Sequence, residues 1–364
     1  MLDSGGLRGS RPLRPPPNHP GQHSVSRPAL TGLVRQSVRW ESGLFILVVA
    51  IFLFGAIDAP GQFLTGGNLF NAGVSNGEFA IMALPMTLII ISGEIDLSVA
   101  SILGMSSALL GVLWNDHWPM LGIFVVLLVA GAAAGLINGL LVTRAGLPSL
   151  AVTIGTLALY RGIAVILLGS NSISSFPSPY ATIGVLPVPH LGNVPWSIAI
   201  FIVLAVIFGV VLHATPLGRS IFAMGNNAET ALFSGIRVKR IKTGLFVVSG
   251  LICAVAGALW TFRLSTAVQG NGLGAELNVV AIVLLAGVSI FGGKGSIPGV
   301  VLAFVAFALL QNALLLTPFN QEAYGIVVGA LLLISVFVPQ FGVLVARIRS
   351  LKLKSLMSKP TTAH

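Results

Sequence analysis

Two carboxylates lie two positions apart in an otherwise apolar part of the chain. Glu94 and Asp96 occur in the stretch ISGEIDLSVAS, between two long runs that carry no charge. An ionised carboxylate is costly in hydrocarbon, so it should lie at an edge, be paired, or stand where a helix is interrupted. Gly93 can end one helix, and Asp96 or Ser98 can cap the next by accepting backbone N–H groups. The stretch therefore predicts a broken-helix junction, which serves either as a purely structural cap or as part of a gate coupled to a partner.

Two further charges lie within apolar segments. Arg161 is near the middle of TIGTLALYRGIAVILL, and Glu78 has a similar estimated depth in the second apolar segment. A permanent cation at such a depth needs a counter-ion, water or other polar contacts. We expect Glu78 and Arg161 to form a pair or a shared polar network. The alternative is that Arg161 contacts backbone carbonyls or reaches towards water.

The elements that must position these groups are membrane helices. Of the 364 residues, 55% are hydrophobic and only 8% charged, whereas soluble domains carry about 25% charged residues. So much apolar surface requires lipid as its solvent. The single cysteine, Cys253, excludes an intramolecular disulfide, and no group of residues has metal-ligand spacing. The sequence therefore predicts neither a metal site nor a cofactor, and it offers no convincing cluster for an integral-membrane enzyme.

The chain contains ten apolar segments that could cross a membrane, each judged against a requirement of about 20 mostly apolar residues. They lie near 43–58, 71–92, 97–114, 119–142, 148–169, 195–213, 242–263, 278–292, 297–316 and 322–346. We therefore predict an all-α, polytopic permease domain over 41–346. A disordered basic tail is expected over 1–40 and a cytoplasmic basic tail over 347–364.

The distribution of basic residues orients these segments. With the N-terminus inside and the sides alternating, the inner loops hold all but two of the 20 lysines and arginines, and the outer loops hold none. The two exceptions, Arg161 and Arg263, lie within or at the end of a span. This segregation follows the positive-inside rule and predicts that both termini are cytoplasmic. The formal net charge of +10 thus indicates membrane topology and lipid contact, and nucleic acid is not an expected partner.

Several motifs, in order along the chain, carry a resemblance to a known family. They are GEIDLSVAS from Gly93, INGLLVTRAGLPSLAVTIGTLALYRGIAVILLG from Ile137, TPLGRSIFAMGNNAETALFSGIRVKRIKTGLFVVSGL from Thr215 and GGKGSIPGVVLAFVAFALLQNALLL from Gly292. Together they resemble the ribose-type permeases of bacterial sugar ABC importers, over about residues 40 to 346. Glu94 replaces a commoner glycine of that pattern, and Ala100 replaces another. The GEIDLSVAS variant looks closest to the rhamnose-type and autoinducer-2-type branch.

The resemblance gives a role to the largest polar inner loop. Within it, the segment from Asn227 to Ser234 can form about two turns of helix that end at Gly235. In the related permeases this loop is the coupling helix that docks on the ATPase subunit, and a basic loop anchored to lipid headgroups is the alternative. The residues expected to contact the ATPase are Asn227, Ala228, Glu229, Ala231, Leu232, Phe233, Ser234 and Gly235.

FGGKGS, beginning at Phe291, does not meet the pattern of a phosphate-binding loop. That pattern needs a glycine where Val288 stands and Ser or Thr where Gly295 stands. ATP must therefore be hydrolysed by another chain if transport is driven by ATP. The glycines instead predict a tight inner turn between the eighth and ninth segments.

The sequence leaves the solute and the assembly open. The resemblance implies a bacterial inner-membrane importer of rhamnose, ribose, another sugar or autoinducer-2. Its implied partners are an ABC ATPase, a second permease copy in a homodimer or heterodimer, and a periplasmic or lipid-anchored sugar-binding protein. Asn138, Gln311 and Asn312 could line a polar pathway, or could form hydrogen bonds between helices. The rival interpretation is an ion-coupled secondary carrier in which Glu78, Glu94 and Asp96 bind protons or ions.

Overall fold

The structure is a computed structural model that describes residues 29–316, 325–334 and 337, with side chains from residue 40. In chain order the helices are α1 Ala29–Asp58, α2 Gly66–Ile91, α3 Val99–Asn115, α4 Met120–Thr143, α5 Ser149–Leu168, α6 Ser178–Val185, α7 Trp196–Ala214, α8 Pro216–Asn226, α9 Ala228–Phe233, α10 Val238–Leu264, α11 Ala275–Leu285 and α12 Ile297–Leu316. A further apolar helix covers Gly325–Ile334. Two short strands, β1 Ile173–Ser174 and β2 Thr266–Ala267, pair antiparallel.

The predicted apolar segments correspond to helices of two lengths. Within the described residues, seven are long and apolar enough to cross a membrane: α2, α4, α5, α7, α10, α12 and the Trp40–Asp58 part of α1. Three apolar helices are shorter, namely α3, α11 and Gly325–Ile334. The chain is thus a polytopic, all-α membrane protein, as the composition predicted.

Two predicted boundaries are wrong. Helix α1 begins at Ala29, so the last part of the expected 1–40 tail is helical; residues 1–28 and the 347–364 tail lie outside the described residues. The eighth apolar segment is helical only as far as Leu285. Beyond it, Gly287, Gly292 and Gly293 have φ near +80°, +82° and +72°, a conformation that a helix does not contain. Gly292 and Gly293 lie in the tight turn that the sequence predicted before α12.

Helix α2 is the centre of the molecule. Every side chain from Asn76 to Ile91 is buried, and the helix packs against α7, α10, α11 and α12. By contrast, α1, α4, α5 and α7 expose large apolar side chains along most of their length, which is the surface that lipid or another membrane subunit covers. The protein therefore has an inner layer, chiefly α2 and α10, within a lipid-facing outer layer.

Small residues bring α4 and α10 into backbone contact. A Cβ on Gly131 would lie 2.4 Å from the carbonyl oxygen of Gly250, and one on Gly135 would lie 2.1 Å from that of Phe246. Only glycine permits this approach, which is the use of small residues expected between membrane helices. The contact holds α10 close to the break between α2 and α3, because α3 also packs on both α4 and α10.

Helix α1 is peripheral but is attached to the turn after α11. The Trp40 indole N–H donates to the carbonyl of Leu285 at 3.1 Å. The same ring occupies the space beside Gly287, where a Cβ would lie 2.4 Å from the indole nitrogen. Glu41 adds a second attachment by accepting a 2.6 Å hydrogen bond from Ser296, at the start of α12.

Candidate functional site

Helix α2 is interrupted at Gly93, where φ is +85°, and α3 begins at Val99. Helix α5 satisfies the irregular backbone between them. The Ser149 hydroxyl accepts a hydrogen bond from the N–H of Ile95 at 3.1 Å, and Thr153 donates to the Ile95 carbonyl at 3.2 Å. This compensation lets a non-helical segment lie among packed helices. The predicted helix break is confirmed.

Asp96 is fully buried and all its hydrogen-bond partners are hydroxyl or backbone groups. One carboxylate oxygen accepts from the backbone N–H and the hydroxyl of Ser98, at 3.0 and 2.6 Å. The other accepts from Ser249 of α10 at 3.1 Å. Burial raises the pKa of this carboxyl above its ordinary value, and the hydrogen bonds from Ser98 and Ser249 lower it in part. Asp96 thus binds the backbone N–H of Ser98, the residue before α3, and the first turn of that helix has no side-chain cap from Ser98.

A polar network extends from Asp96 to two further helices. Ser98 accepts a 2.8 Å hydrogen bond from the side-chain amide of Asn138 in α4. The Tyr160 hydroxyl of α5 lies 3.4 Å from the Asn138 side-chain oxygen and 2.9 Å from the carbonyl of Ala134. The buried Asn138 therefore joins helices to the break, which is the packing alternative weighed from the sequence.

Glu94 forms a salt bridge with Lys242 in the second turn of α10. Both side chains are largely buried, with exposed fractions of 15% for Glu94 and 12% for Lys242. The two residues are 148 positions apart, so the pair links the break in α2 to the end of the large inner loop. The backbone of Glu94 is not among the positive-φ positions, so this site requires no glycine.

A second contact links the other end of that loop to the break. Gly225, near the end of α8, packs so closely that a Cβ there would lie 1.8 Å from the Ile91 carbonyl oxygen and 2.4 Å from the Gly293 nitrogen. The same carbonyl accepts the N–H of Gly293 at 2.8 Å. The end of α2, the end of α8 and the glycine turn before α12 therefore meet through their backbones.

Helix α9 lies between these two attachments. Asn227 caps it by accepting the Thr230 N–H at 2.9 Å, and Gly235, with φ at +82°, follows its end. Ala231 packs inwards, whereas Leu232 and Phe233 are 59% and 89% exposed. The predicted two-turn helix with an apolar edge is present. The remaining residues expected at a coupling interface, Ala228, Glu229, Ser234 and Gly235, are exposed as well.

The expected Glu78–Arg161 pair is wrong. Glu78 instead accepts a 2.9 Å hydrogen bond from Arg263 near the end of α10. Arg161 donates to the carbonyls of Gln269 and Asn271, at 3.2 and 2.7 Å, which is the alternative considered from the sequence. The position of a residue within an apolar segment indicates its depth in the membrane, but not the direction in which its side chain points. The partner predicted from depth alone was therefore wrong.

The other two polar residues considered for a pathway have different surroundings. Asn312 exchanges a pair of side-chain hydrogen bonds with Asn68 of α2, at 2.7 and 2.9 Å. Gln311 has a buried side-chain oxygen without a hydrogen-bond partner among the described residues. In that same part of the chain, no group of histidine, cysteine and carboxylate side chains could hold a metal ion.

Comparison with known proteins identifies the family. The model of the family described as "Branched-chain amino acid transport system / permease component" matches residues 68–336. The chain belongs to this permease family. The permease is 34% identical over 307 residues to the autoinducer 2 import system permease protein LsrD of Escherichia coli (strain K12) and of Shigella flexneri, over 82% of this chain and 91% of each relative. No solved structure was matched.

This permease is a multi-pass protein of the bacterial inner membrane and a transport subunit of an ABC importer of the ribose type. It is a transporter subunit rather than an enzyme, because ATP is hydrolysed by a separate ATPase subunit. An ATPase and a substrate-binding protein are its general partners.

Sequence reasoning missed four residues that hold the site together: Lys242, Ser249, Gly225 and Ser149. They lie far from the motif along the chain and have no short-range pattern that points to it. One signal was available for Lys242, because a carboxylate at a membrane boundary needs a cation and the nearest basic cluster is the large inner loop. Nothing in a single sequence indicates that Gly225 of α8 packs against the end of α2.

Proposed function

We propose that the permease imports autoinducer 2. The observation that carries this proposal is the 34% identity to LsrD, which extends over 91% of that relative. Ribose, rhamnose and other monosaccharides are the alternative solutes, because they share the many hydroxyl groups that a polar but uncharged membrane pathway can accept. We further propose that a periplasmic or lipid-anchored binding protein delivers the solute to the outer loops.

We propose that the ATPase subunit docks on α9 and its flanks. The exposed Leu232 and Phe233 offer an apolar edge that suits a partner groove. Three exposed basic residues, Arg237, Lys239 and Arg240, follow directly. Such a helix edge, surrounded by polar groups, is the composition expected of a protein–protein contact.

The attachments of the loop suggest how movement of the ATPase reaches the membrane. A displacement of α9 is transmitted through Gly225 on one side and through the Glu94–Lys242 pair on the other. Both attachments lead to the break in α2, where the non-helical backbone lacks the continuous hydrogen-bond ladder that fixes the dihedral angles of a helix. On this proposal the break is the gate element that separates the inward-open and outward-open states, with Gly93, Glu94, Asp96 and Ser98 at its centre.

Transport into proteoliposomes tests the proposed function. The vesicles should contain the permease, its ATPase and its binding protein, with ATP on the ATPase side and either labelled autoinducer 2 or D-ribose on the other. We expect ATP-dependent accumulation of autoinducer 2 in preference to ribose. A preference for ribose would show that ribose, and not autoinducer 2, is the transported solute. Accumulation driven by a proton gradient, with no ATPase present, would contradict the whole mechanism.

The same vesicles test the assembly. We propose that two permease subunits form the pathway, either two copies of this chain or this chain with a sister permease. Transport by complexes that contain this chain as the sole permease would establish a homodimer. If a sister subunit is required and native mass measurement finds one copy of each, the heterodimer is correct.

A further inference from the structure

A second polar cluster lies away from the break, at the opposite end of α10. We name Glu78, Trp260 and Arg263 the outer cluster. Arg263 donates to one carboxylate oxygen of Glu78 at 2.9 Å, and its guanidinium carbon lies 4.6 Å from the centre of the Trp260 ring. Phe79 packs against Trp260 with ring centres 5.7 Å apart. An ion pair and two aromatic rings therefore converge between α2 and α10.

Two polar atoms of this cluster are buried without a hydrogen-bond partner among the described residues. They are the second carboxylate oxygen of Glu78 and the indole nitrogen of Trp260. Glu78 is only 1% exposed, so bulk water does not satisfy it. More than 90% of buried polar groups have a partner, and leaving one without a partner costs about 1–3 kcal/mol. One unpaired acceptor and one unpaired donor at neighbouring side chains therefore suggest a polar molecule that meets both.

Gln311 supplies a third unpaired atom, on the helix whose Phe307 packs against Phe79. Phe79 also packs against Phe307 of α12, with ring centres 6.5 Å apart. Gln311 is one helical turn beyond Phe307, so it lies on the same face of α12 and nearer the predicted outer end. Its unpartnered side-chain oxygen is buried.

The location suits the first contact of a solute with the membrane domain. Arg263 is the penultimate residue of α10, and strand β2, which pairs with β1 on the predicted outer surface, follows at Thr266. Helix α6 covers the backbone of Arg263, where a Cβ on Gly184 would lie 2.3 Å from the Arg263 nitrogen. The side chain of Arg263 is 14% exposed, so the cluster reaches the surface at that residue.

We propose that the outer cluster is a contact site for the transported solute, a small molecule with several hydroxyl groups. One hydroxyl can donate to the Glu78 oxygen and another can accept from the Trp260 indole, while the aromatic faces cover the apolar side of the molecule. Convergent polar groups beside aromatic surface are typical of small-molecule sites. This inference rests on the proposed import of a hydroxylated solute and adds where that solute is held.

The Trp260→Phe substitution separates this role from a structural one. Phenylalanine keeps an aromatic ring against Phe79 and Arg263 and removes an N–H that has no protein partner. Because phenylalanine is smaller, a merely structural tryptophan predicts a modestly lower Tm and an unchanged KM for uptake. Contact with solute predicts, in addition, a rate of uptake that falls about threefold to tenfold below saturation, the effect of one lost hydrogen bond.

Trp40→Phe is the matched control, because it removes an indole N–H that does have a protein partner. We expect this change to lower the Tm, and any fall in uptake to be the same for autoinducer 2 and D-ribose. Glu78→Gln is the second variant, since it keeps an acceptor for Arg263 and should lower uptake more than Trp260→Phe does.

The measurement uses the complete complex in proteoliposomes, with labelled autoinducer 2 and D-ribose as the two probes. A KM that is raised in the outer-cluster variants for the probe that the wild type imports, and is not raised in Trp40→Phe, supports the site. Wild-type kinetics in both outer-cluster variants overturn it and leave the proposed function intact. If the wild-type complex imports neither probe, the proposed function itself has failed.

Discussion

Glu94 stands where the related permeases commonly have glycine, and this difference has a structural consequence. Its backbone conformation is open to any residue, so the side chain is present for its contact and not for its backbone. That contact is Lys242, which immediately follows the basic part of the inner loop. An ion pair largely removed from water is strongly destabilised when one partner is lost, because the remaining charge stays buried. The pair can therefore couple a movement of the inner loop to the break in α2.

Reversing the Glu94–Lys242 pair tests whether the charges act together. We expect Glu94→Lys and Lys242→Glu each to lower ATP-driven uptake about tenfold, since each change places two like charges in contact. The double variant should recover a substantial part of that loss. Arg144→Glu, at an exposed basic residue that follows α4, is the control for a change of net charge. Normal transport in both single variants would show that the pair has no role in coupling.

The contact at Gly225 gives a second prediction. Gly225→Ala places a methyl group on the backbone of Ile91 and Gly293, and backbone cannot move aside as a side chain can. We expect a loss of stability of about 1–3 kcal/mol, measured as a lower Tm in detergent, together with weaker stimulation of the ATPase by the binding protein. Gly244→Ala is the control, because that glycine is in α10 with nothing within 4 Å of the added methyl. Equal Tm values for the two variants would contradict the close approach of α8 to α2.

Helix α9 leaves the apolar edge formed by Leu232 and Phe233 exposed on the described part of the subunit. Ala231 attaches it to the protein, while its apolar edge faces away. Its short length leaves little intrinsic helical stability, so the Asn227 cap and the terminal Gly235 hold it in place.

Truncating the apolar edge of α9 should weaken the complex and not the fold. We expect Phe233→Ala to lower the affinity for the ATPase at least about tenfold, as aromatic anchors at interfaces do, with an unchanged Tm. Phe45→Ala on the exposed side of α1 is the control, because it removes an equally large apolar side chain from another exposed surface. Co-purification of the ATPase at rising detergent or salt concentration measures the difference. Equal retention by both variants would place the docking surface elsewhere.

The elements also show where sequence reasoning succeeds and where it stops. Hydrophobic length predicts the long helices, and an asparagine cap with a following glycine predicts α9, because these signals are local. The partner of Glu78 was wrong because it depends on how α2, α5 and α10 are rotated about their axes. The end of α11 was also misplaced, since the apolar run continues beyond Leu285 while the glycines adopt conformations that end the helix. Rotation and packing depend on contacts between distant segments.

At the scale of the whole molecule, the two charged networks lie at opposite ends of α10. Lys242 and Glu94 are near its start, and Arg263 and Glu78 are near its finish. Helix α10 is also in backbone contact with α4 and packs against α2 and α3. It can therefore transmit a displacement from the inner loop to the predicted outer surface as a rigid body.

The orientation of the permease can be checked with single cysteines. Cys253 is completely buried, so labelling of the native chain should be weak. We expect Lys239→Cys to react with a membrane-impermeant maleimide only after the cells are permeabilised. Trp118→Cys, at a position that is 45% exposed and predicted to be outside, should react in intact cells. The reverse labelling pattern would show that the topology is inverted and that α9 lies outside the cell, where the ATPase cannot bind it.

The attachment of Trp40 has a consequence for the outermost helix. Most of the apolar surface of helix α1 faces outwards, so the helix is peripheral. Its Trp40 ring nevertheless packs against Gly287, in the space that a Cβ at that position would occupy. Taking the helix away would uncap the Leu285 carbonyl and open a hollow beneath the turn that precedes α12. A shortened chain that keeps Trp40 and Glu41 should thus retain the shape of its inner face, and one that begins a few residues later should lose it.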